Sequence, residues 1–195
     1  MKKVAFISGS SRGIGRAIAL NLSREGFTVF VNGRTESTVA KVVSDIQSAG
    51  GTAYPIICDL TQDRAAGDAI LKVQQTAGQL DLLVLNLGSG RTPNDWNPSL
   101  EETRRIFDLN FFSAVALAQS ALEIMKSGSN VVFISSIAGC EALGAPIAYS
   151  AAKAALLTYS KTLSMKAAAR GIRVNTRTRW TWCCSGFRTF GRARC

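Results

Sequence analysis

Residues 3–22, Lys-Val-Ala-Phe-Ile-Ser-Gly-Ser-Ser-Arg-Gly-Ile-Gly-Arg-Ala-Ile-Ala-Leu-Asn-Leu, place an apolar run, a glycine-rich turn and a helical pattern in direct succession. Residues 3–8 predict a buried strand, and residues 16–22 have a helical periodicity that Gly26 ends. Glycines in such a turn let the backbone approach a ligand closely, and the following helix offers free N–H groups to a pyrophosphate. The pattern therefore favours a dinucleotide site, with an ordinary strand–helix turn as the alternative.

The alternation of strands and helices continues along the chain. Strands are expected at residues 27–31, 52–58, 81–85, 131–134 and 172–175, and helices at 37–49, 62–77, 104–125 and from about 149 to 170. Regular alternation of this kind predicts an α/β fold with a doubly wound parallel sheet, as in Rossmann-like proteins. The length of 195 residues allows one domain with a real core, which we assign to residues 1–175.

The net charge of +10 is distributed unevenly along the chain. Residues 176–195 contain five Arg and no acidic residue, whereas the other 175 residues carry 18 basic and 13 acidic side chains. A nucleic-acid-binding domain usually concentrates its positive charge in a patch or stripe. We therefore expect no nucleic-acid partner, and we interpret residues 176–195 as an irregular basic tail.

Hydrophobicity and cysteine usage indicate the compartment. No stretch reaches the length of a transmembrane helix, and the apolar run after Met1-Lys2-Lys3 is too short for a signal peptide. The five cysteines show no CxxC spacing and the chain has no histidine, so we expect no metal site. The sequence predicts a cytoplasmic protein without a membrane partner.

The end of the second predicted strand indicates which dinucleotide is bound. Proteins that prefer NAD usually place Asp or Glu there, on the ribose 2′-hydroxyl. Here the strand runs into Asn32-Gly33-Arg34, and Arg12 stands in the glycine-rich turn. Two guanidinium groups that converge on a 2′-phosphate would favour NADP. The alternative is two solvated surface arginines.

Polar residues stand at three further positions where the pattern is otherwise apolar. Asp59 follows the third strand and is expected either to meet an adenine amino group or to cap the next helix. Asn110 interrupts an apolar helix, so it is either a structural hydrogen-bonding residue or a site residue. Ser135 and Ser136 end the fifth strand, and the carboxyl ends of parallel strands are where such sheets bind ligands.

Tyr149 and Lys153 are four residues apart in a helical stretch and therefore share one helix face. A free phenol titrates near pH 10, and an adjacent ammonium favours its ionised form. The pair is a candidate general acid and base. The alternative is a surface Tyr beside an unrelated Lys.

Taken in their order and spacing, these residues resemble the short-chain dehydrogenase/reductase family. The resemblance covers residues 3–175 and rests on Gly9, Gly13, Gly15, Asp59, Asn86, Gly88, Asn110, Ser136, Tyr149 and Lys153. Within the family, the sequence is most similar to 3-oxoacyl-carrier-protein reductases. The resemblance implies an oxidoreductase that transfers a hydride between NADP(H) and a carbonyl or alcohol substrate, with 3-oxoacyl compounds as candidates.

The resemblance also implies a role for each site residue. Tyr149 would protonate the carbonyl oxygen, Lys153 would favour the phenolate and hold the nicotinamide ribose, and Ser136 would orient the carbonyl. Asn110 would hold a water that links Lys153 to solvent. The cofactor-binding residues it implies are Gly9, Ser11, Arg12, Gly13, Ile14, Gly15, Arg34, Asp59, Leu60, Asn86, Gly88, Tyr149 and Lys153.

The chain departs from the family pattern in two places. Leu87 replaces an alanine beside Asn86 and narrows the space for backbone approach. After residue 175 no Pro-Gly turn follows, and twelve of residues 176–195 are Arg, Trp, Cys or Gly, a bias that an out-of-frame reading of a GC-rich gene would produce. We therefore expect a sheet that lacks the family's last strand and helix, with an unprotected edge, low stability and little activity.

Three functions are compatible with these patterns. The first is an NADP-dependent reductase of a small carbonyl compound, and the second is the same scaffold without turnover. The third is a nucleic-acid binder that uses Arg177, Arg179, Trp180 and Trp182 of the tail. We favour the first. A homodimer or homotetramer is expected through the two long helices, whose alanines 114, 118, 121, 151, 154 and 155 either pack between subunits or pack on the sheet.

Overall fold

The computed structural model describes residues 2–91 and 96–179. Its six strands are β1 (Val4–Ile7), β2 (Thr28–Gly33), β3 (Thr52–Ile57), β4 (Leu82–Leu85), β5 (Asn130–Ser136) and β6 (Arg173–Arg179). Its helices are α1 (Gly13–Arg24), α2 (Glu36–Ser48), α3 (Ala65–Ala77), α4 (Leu100–Phe107), α5 (Ser113–Ile124) and α6 (Ile147–Ala168). The strands are all parallel in the order β3-β2-β1-β4-β5-β6. The expected doubly wound parallel sheet is confirmed.

Two apolar layers hold the helices against the two faces of the sheet. Successive strand residues point to opposite faces, so Phe6 packs with α3, α5 and α6, while its neighbour Ile7 packs with α1 and α2. Because both faces are covered in this way, β1 and the central part of β2 read as unbroken apolar runs. The order of strands reverses between β1 and β4, which places a crevice at the carboxyl ends of these strands.

Two helices differ from the sequence prediction. The single helix expected at 104–125 is divided into α4 and α5 by one π-helical turn at Asp108–Phe112. The helix expected from residue 62 begins at Ala65, because Asp59 forms a local turn with Thr61 and Arg64 then has a left-handed φ of 64°. The spacing of apolar residues is nearly the same in an α-helix and in a short π-helical or non-helical turn. It therefore predicted neither the interruption at Asp108–Phe112 nor the later start of α3.

Strand β6 continues beyond the position where the tail was expected to begin. It pairs with β5 along its whole length, from Asn130↔Arg173 to Ser136↔Arg179. Residues 176–179 are therefore part of the sheet. Within the described residues, β6 is the edge strand next to β5. Trp180, Trp182, Phe187 and Phe190, which the sequence analysis considered for covering that edge, lie outside the described residues.

The described residues were also searched for membrane-spanning helices and for metal-binding groups. No helix in residues 2–91 and 96–179 is both long and apolar enough to cross a membrane. In the same residues, His, Cys, Asp and Glu form no group of three that could hold a metal ion.

Candidate active site

The glycine-rich turn approaches β4 so closely that one of its positions excludes a side chain. A Cβ atom built on Gly15 would lie 2.4 Å from the Gly9 carbonyl oxygen and 2.6 Å from Asn86 Nδ2. Gly13 has a φ of +56° with open space beside it, and no side chain caps the N-terminus of α1. The backbone N–H groups of the first helical turn are thus open to a phosphate group, which is the environment that a dinucleotide pyrophosphate requires.

A cleft of about 540 Å³ lies at the carboxyl ends of the strands, in front of this turn. Its volume is within the range of small-molecule sites. Ten of the expected cofactor-binding residues line it: Gly9, Ser11, Arg12, Gly13, Ile14, Arg34, Asp59, Leu60, Asn86 and Gly88. Gly15 is buried, and Tyr149 and Lys153 lie outside the lining. The residues present therefore fit a dinucleotide.

Asn86 connects the glycine-rich turn to the end of β4. Its Nδ2 donates to the carbonyl oxygens of Ser8 and Gly9, each at 3.1 Å. The buried Ser8 hydroxyl accepts from the backbone N–H groups of Asn86 (2.9 Å) and Leu87 (3.0 Å). Ser8 was missed in the sequence analysis, because its contacts with Asn86 and Leu87 depend on the pairing of β1 with β4, which the local sequence does not show. Leu87 lines the cleft and packs partly against the core.

The far end of the cleft carries an ion pair. Arg34 Nη1 lies 3.3 Å from Asp59 Oδ2, and Arg34 is largely exposed. Asp59 Oδ1 accepts from the backbone N–H of Thr61 (3.0 Å) and from its hydroxyl (2.7 Å). Partial burial opposes ionisation of Asp59, but the hydrogen bonds from Thr61 and Arg34 outweigh it and lower the pKa of this carboxyl. Asp59 forms a local turn with Thr61 and holds Arg34, and it does not cap α3, whose N-cap is Arg64. The other expected role, a contact with an adenine amino group, stays a prediction.

Asn110 lies in the π-helical turn and is fully buried. Its Nδ2 donates to the carbonyl oxygens of Ile106 (3.0 Å) and Ser89 (3.2 Å), and its Oδ1 accepts from the Ser89 N–H at 3.0 Å. The amide therefore clamps the backbone of Ser89 in both directions. π-Helical turns recur at functional sites, where they redirect a side chain out of the regular helical pattern.

Lys153 is buried on α6 with its ammonium pointing towards the end of β5. Its Nζ donates to the Ile134 carbonyl oxygen at 3.2 Å and lies 5.9 Å from the centre of the Tyr149 ring. Desolvation by burial lowers the pKa of Lys153 from 10.5 to about 8. The Ser135 hydroxyl donates to the Lys153 carbonyl oxygen at 3.1 Å, which fixes α6 against β5 at this level. The expected proximity of Tyr149 and Lys153 on one face of α6 is therefore confirmed.

Ser136 ends β5 and is half-buried. Its hydroxyl oxygen accepts from the Ala138 N–H at 3.2 Å, in a short 3₁₀ turn. This contact occupies one lone pair and leaves the hydroxyl proton free to be donated elsewhere. The neighbouring Ser135 points into the core, so the two serines separate into one structural and one accessible hydroxyl.

Residues 88–90 connect the cleft to the Tyr149–Lys153 pair. A Cβ atom built on Gly88 would lie 2.6 Å from Asn110 Oδ1 and 3.0 Å from Lys153 Nζ. One built on Gly90 would lie 3.5 Å from the ring of Tyr149. Three segments that are distant in sequence, residues 88–90, Asn110 and the Tyr149–Lys153 pair, are thereby gathered at one end of the cleft. A phenol beside a buried ammonium can act as a general acid and base next to a cofactor in this cleft, while the buried amide of Asn110 fixes the backbone between them.

The family follows from comparison with known proteins. The chain matches the family model described as short chain dehydrogenase over residues 3–179, and it belongs to this family. It is 36% identical over 174 residues to an uncharacterized oxidoreductase of Myxococcus xanthus, covering 88% of this chain and 69% of that protein. It is 33% identical over 175 residues to the 3-oxoacyl-[acyl-carrier-protein] reductase of Escherichia coli, covering 89% and 70%. The family resemblance read from the sequence is confirmed.

Solved structures of similar proteins support the same family assignment. A dehydrogenase/reductase from Sinorhizobium meliloti superimposes with a TM-score of 0.86 at 32% identity, covering 89% of this chain and 70% of that one. A short chain dehydrogenase from Burkholderia cenocepacia in complex with NADP gives 0.85 at 30% identity, with 89% and 72% covered. The chain is an oxidoreductase of the short-chain dehydrogenase family by fold and sequence, and it spans about 70% of the length of these relatives.

Proposed function

We propose that the chain binds NADP(H) in the cleft and transfers a hydride between it and a carbonyl or alcohol substrate. The observation that carries the proposal is the position of Gly88. It lines the cleft, and a Cβ atom built on it would meet both Asn110 Oδ1 and Lys153 Nζ. This proximity supports one continuous site made of the dinucleotide cleft and the acid–base residues.

The cleft residues divide into two binding regions. The N-terminus of α1, with Gly13 and Ile14, would hold the pyrophosphate, because its N–H groups are open. The adenine would lie against a wall of the cleft formed by Asp59, Leu60 and the end of β3. The chemistry that NADP(H) supplies when bound is hydride transfer at the nicotinamide ring.

Four residues would manage the substrate and its proton. Tyr149 would donate a proton to the carbonyl oxygen during reduction, and Ser136 would donate its free hydroxyl proton in a hydrogen bond to the same oxygen. Lys153 would stabilise the ionised phenol and the cofactor ribose, since its ammonium has few competing partners in the described residues. Asn110 would keep the backbone of residues 88–90 in place through its bonds to Ser89, and it would hold a water that links Lys153 to solvent.

The preference for NADP rests on charge at the adenine end. No carboxylate stands at the end of β2, at Asn32-Gly33-Arg34, whereas Arg34 and Arg12 both line the cleft. Arg34 is already oriented by Asp59, and two solved relatives, from Burkholderia cenocepacia and Pseudomonas aeruginosa, are described as NADP complexes. A charge-assisted contact to a phosphate contributes about 1.5–3 kcal/mol.

The substrate class and the assembly follow from likeness to relatives. Similarity to a 3-oxoacyl-[acyl-carrier-protein] reductase supports a 3-oxoacyl substrate, and we place the activity in the cytoplasm. A homodimer or homotetramer would form through the outer faces of α5 and α6. The alanines proposed for α5 do not contribute, because Ala114, Ala118 and Ala121 are buried in the core of the subunit. The alternative function is a scaffold that binds cofactor without turnover.

The test is fluorescence titration with NADPH and NADH, followed by turnover on a 3-oxoacyl thioester and simple ketones. We expect NADPH to bind about ten- to a hundredfold more tightly, and Arg34→Ala to remove most of that difference. Arg24→Ala, at an exposed arginine in the last turn of α1 and outside the cleft lining, is the matched control. Equal affinities for both cofactors would contradict the NADP assignment, and NADPH binding without any turnover would favour the scaffold.

A further inference from the structure

A buried carboxamide lies beneath the floor of the cleft, in a strand that is otherwise apolar. Asn32 on β2 is 2% exposed. Its Oδ1 accepts from the Gly9 N–H at 3.0 Å, and its Nδ2 donates to the Ile56 carbonyl oxygen at 3.1 Å. The same Nδ2 lies 3.5 Å from the Cys58 carbonyl oxygen and 3.4 Å from its Sγ. One side chain thus joins the turn after β1 to the end of β3, across the strand between them.

The position requires these bonds. A buried amide without partners is unfavourable by several kcal/mol relative to water, so an asparagine is tolerated here only because each of its polar atoms is engaged. The main chain of Asn32 is engaged too, since its N–H donates to the buried Ser10 hydroxyl at 2.9 Å and its carbonyl oxygen accepts from the Ser10 N–H at 2.8 Å. The ladder between β1 and β2 ends at Ile7↔Val31, and beyond it the bonds of Asn32 connect β2 to the turn after β1.

We infer that Asn32 is a positioning residue for the dinucleotide. It sets the distance between Gly9, in the turn that would hold the pyrophosphate, and Cys58, beside the Asp59–Leu60 wall that would hold the adenine. The inference rests on the proposed cofactor binding in this cleft. Binding to a rigid, preformed cleft avoids the entropy of ordering its two walls.

The chemistry of the side chain explains why other residues cannot do this. An ionised Asp has no N–H to donate to Ile56, and it would place a negative charge beneath the pyrophosphate. A Ser hydroxyl is too short to span from Gly9 to Ile56. Apolar residues would leave the N–H of Gly9 and the carbonyl of Ile56 without these partners.

The test measures binding of NADPH and of adenosine 2′,5′-bisphosphate by calorimetry in three variants whose folded fraction is verified by circular dichroism. We expect Asn32→Ala and Asn32→Thr to weaken both ligands by about 10- to 100-fold, as removal of a supporting hydrogen-bond partner does at other sites. Ser129→Ala is the control. It also removes a buried hydrogen bond, from Ser129 Oγ to the Leu80 carbonyl oxygen, but at the amino ends of β4 and β5, away from the cleft, and both affinities should stay within about twofold.

Three results would overturn the inference. The first is that the Asn32 variants unfold at a lower temperature but, when folded, bind both ligands with the affinity of the wild type. A residue with a purely structural role would give this result. The second applies even where neither variant folds: the Gly9 amide of the wild type exchanges its hydrogen as fast as an unprotected loop amide. The third is that the wild type binds neither ligand, which refutes the proposed function itself and is distinguished from the first two by the wild-type titration alone.

Discussion

Replacement of Lys153 by Met should stabilise the folded protein at neutral pH while it destroys catalysis. Burial lowers the pKa of Lys153 from 10.5 to about 8, and each pKa unit corresponds to about 1.4 kcal/mol. Keeping this ammonium charged in the folded state therefore costs about 3 kcal/mol. Met removes the charge and fills a similar volume, at the loss of the hydrogen bond to Ile134, which contributes about 1 kcal/mol. We expect a net gain of about 2 kcal/mol at pH 7.

The sign and the pH window follow from the two pKa values. Above pH 10.5 Lys153 is neutral in both folded and unfolded chains, and the cost is absent. As the pH falls from 10.5 to about 8, the unfolded chain takes up the proton while the folded protein resists it, so wild-type stability falls. Below about pH 8 both states are protonated and the cost stays constant. The advantage of the Met variant should therefore be full at pH 7 and decline steadily between pH 8 and 10.5.

Urea unfolding at several pH values from 7 to 10 measures this difference directly, because other titrating groups affect both proteins alike. Lys161→Met, at an exposed lysine on the same helix, is the control and should show no such dependence on pH. If the wild type and Lys153→Met unfold with the same pH dependence, the ammonium is not desolvated and the reasoning is refuted.

Three further predictions concern the site and the assembly. Tyr149→Phe should abolish carbonyl reduction while NADPH affinity, measured by fluorescence, stays within about twofold, because only the phenol oxygen is removed; retained turnover would contradict the assignment. Gly15→Ala should lower the melting temperature and prevent NADPH binding, since its Cβ would lie 2.4 Å from a backbone oxygen; Gly67→Ala, at a helical glycine with nothing within 4 Å of the added Cβ, is the matched control. Light scattering should give a dimer or tetramer, and a monomeric mass in a folded sample would count against association through α5 and α6.

The sequence was sufficient for the architecture because the period of apolar residues alternates between strand and helix along the whole chain. It was also sufficient for the cofactor cleft, since Gly9, Gly13 and Arg34 stand directly after β1 and β2, where parallel strands bring their carboxyl ends together. The separation of Ser135 from Ser136 could not be derived from strand alternation alone, because either could have faced the core.

Contacts between distant segments were decided only by the tertiary structure. The π-helical turn that buries Asn110, the Asp59–Arg34 ion pair and the four-way bonding of Asn32 join residues that are 21 to 26 positions apart. Local patterns do not contain such information, because a polar residue in an apolar run signals only that some partner must exist. Apolar periodicity is repeated over many residues and therefore determines the fold, whereas a single hydrogen bond depends on where the packed strands bring its donor and acceptor together.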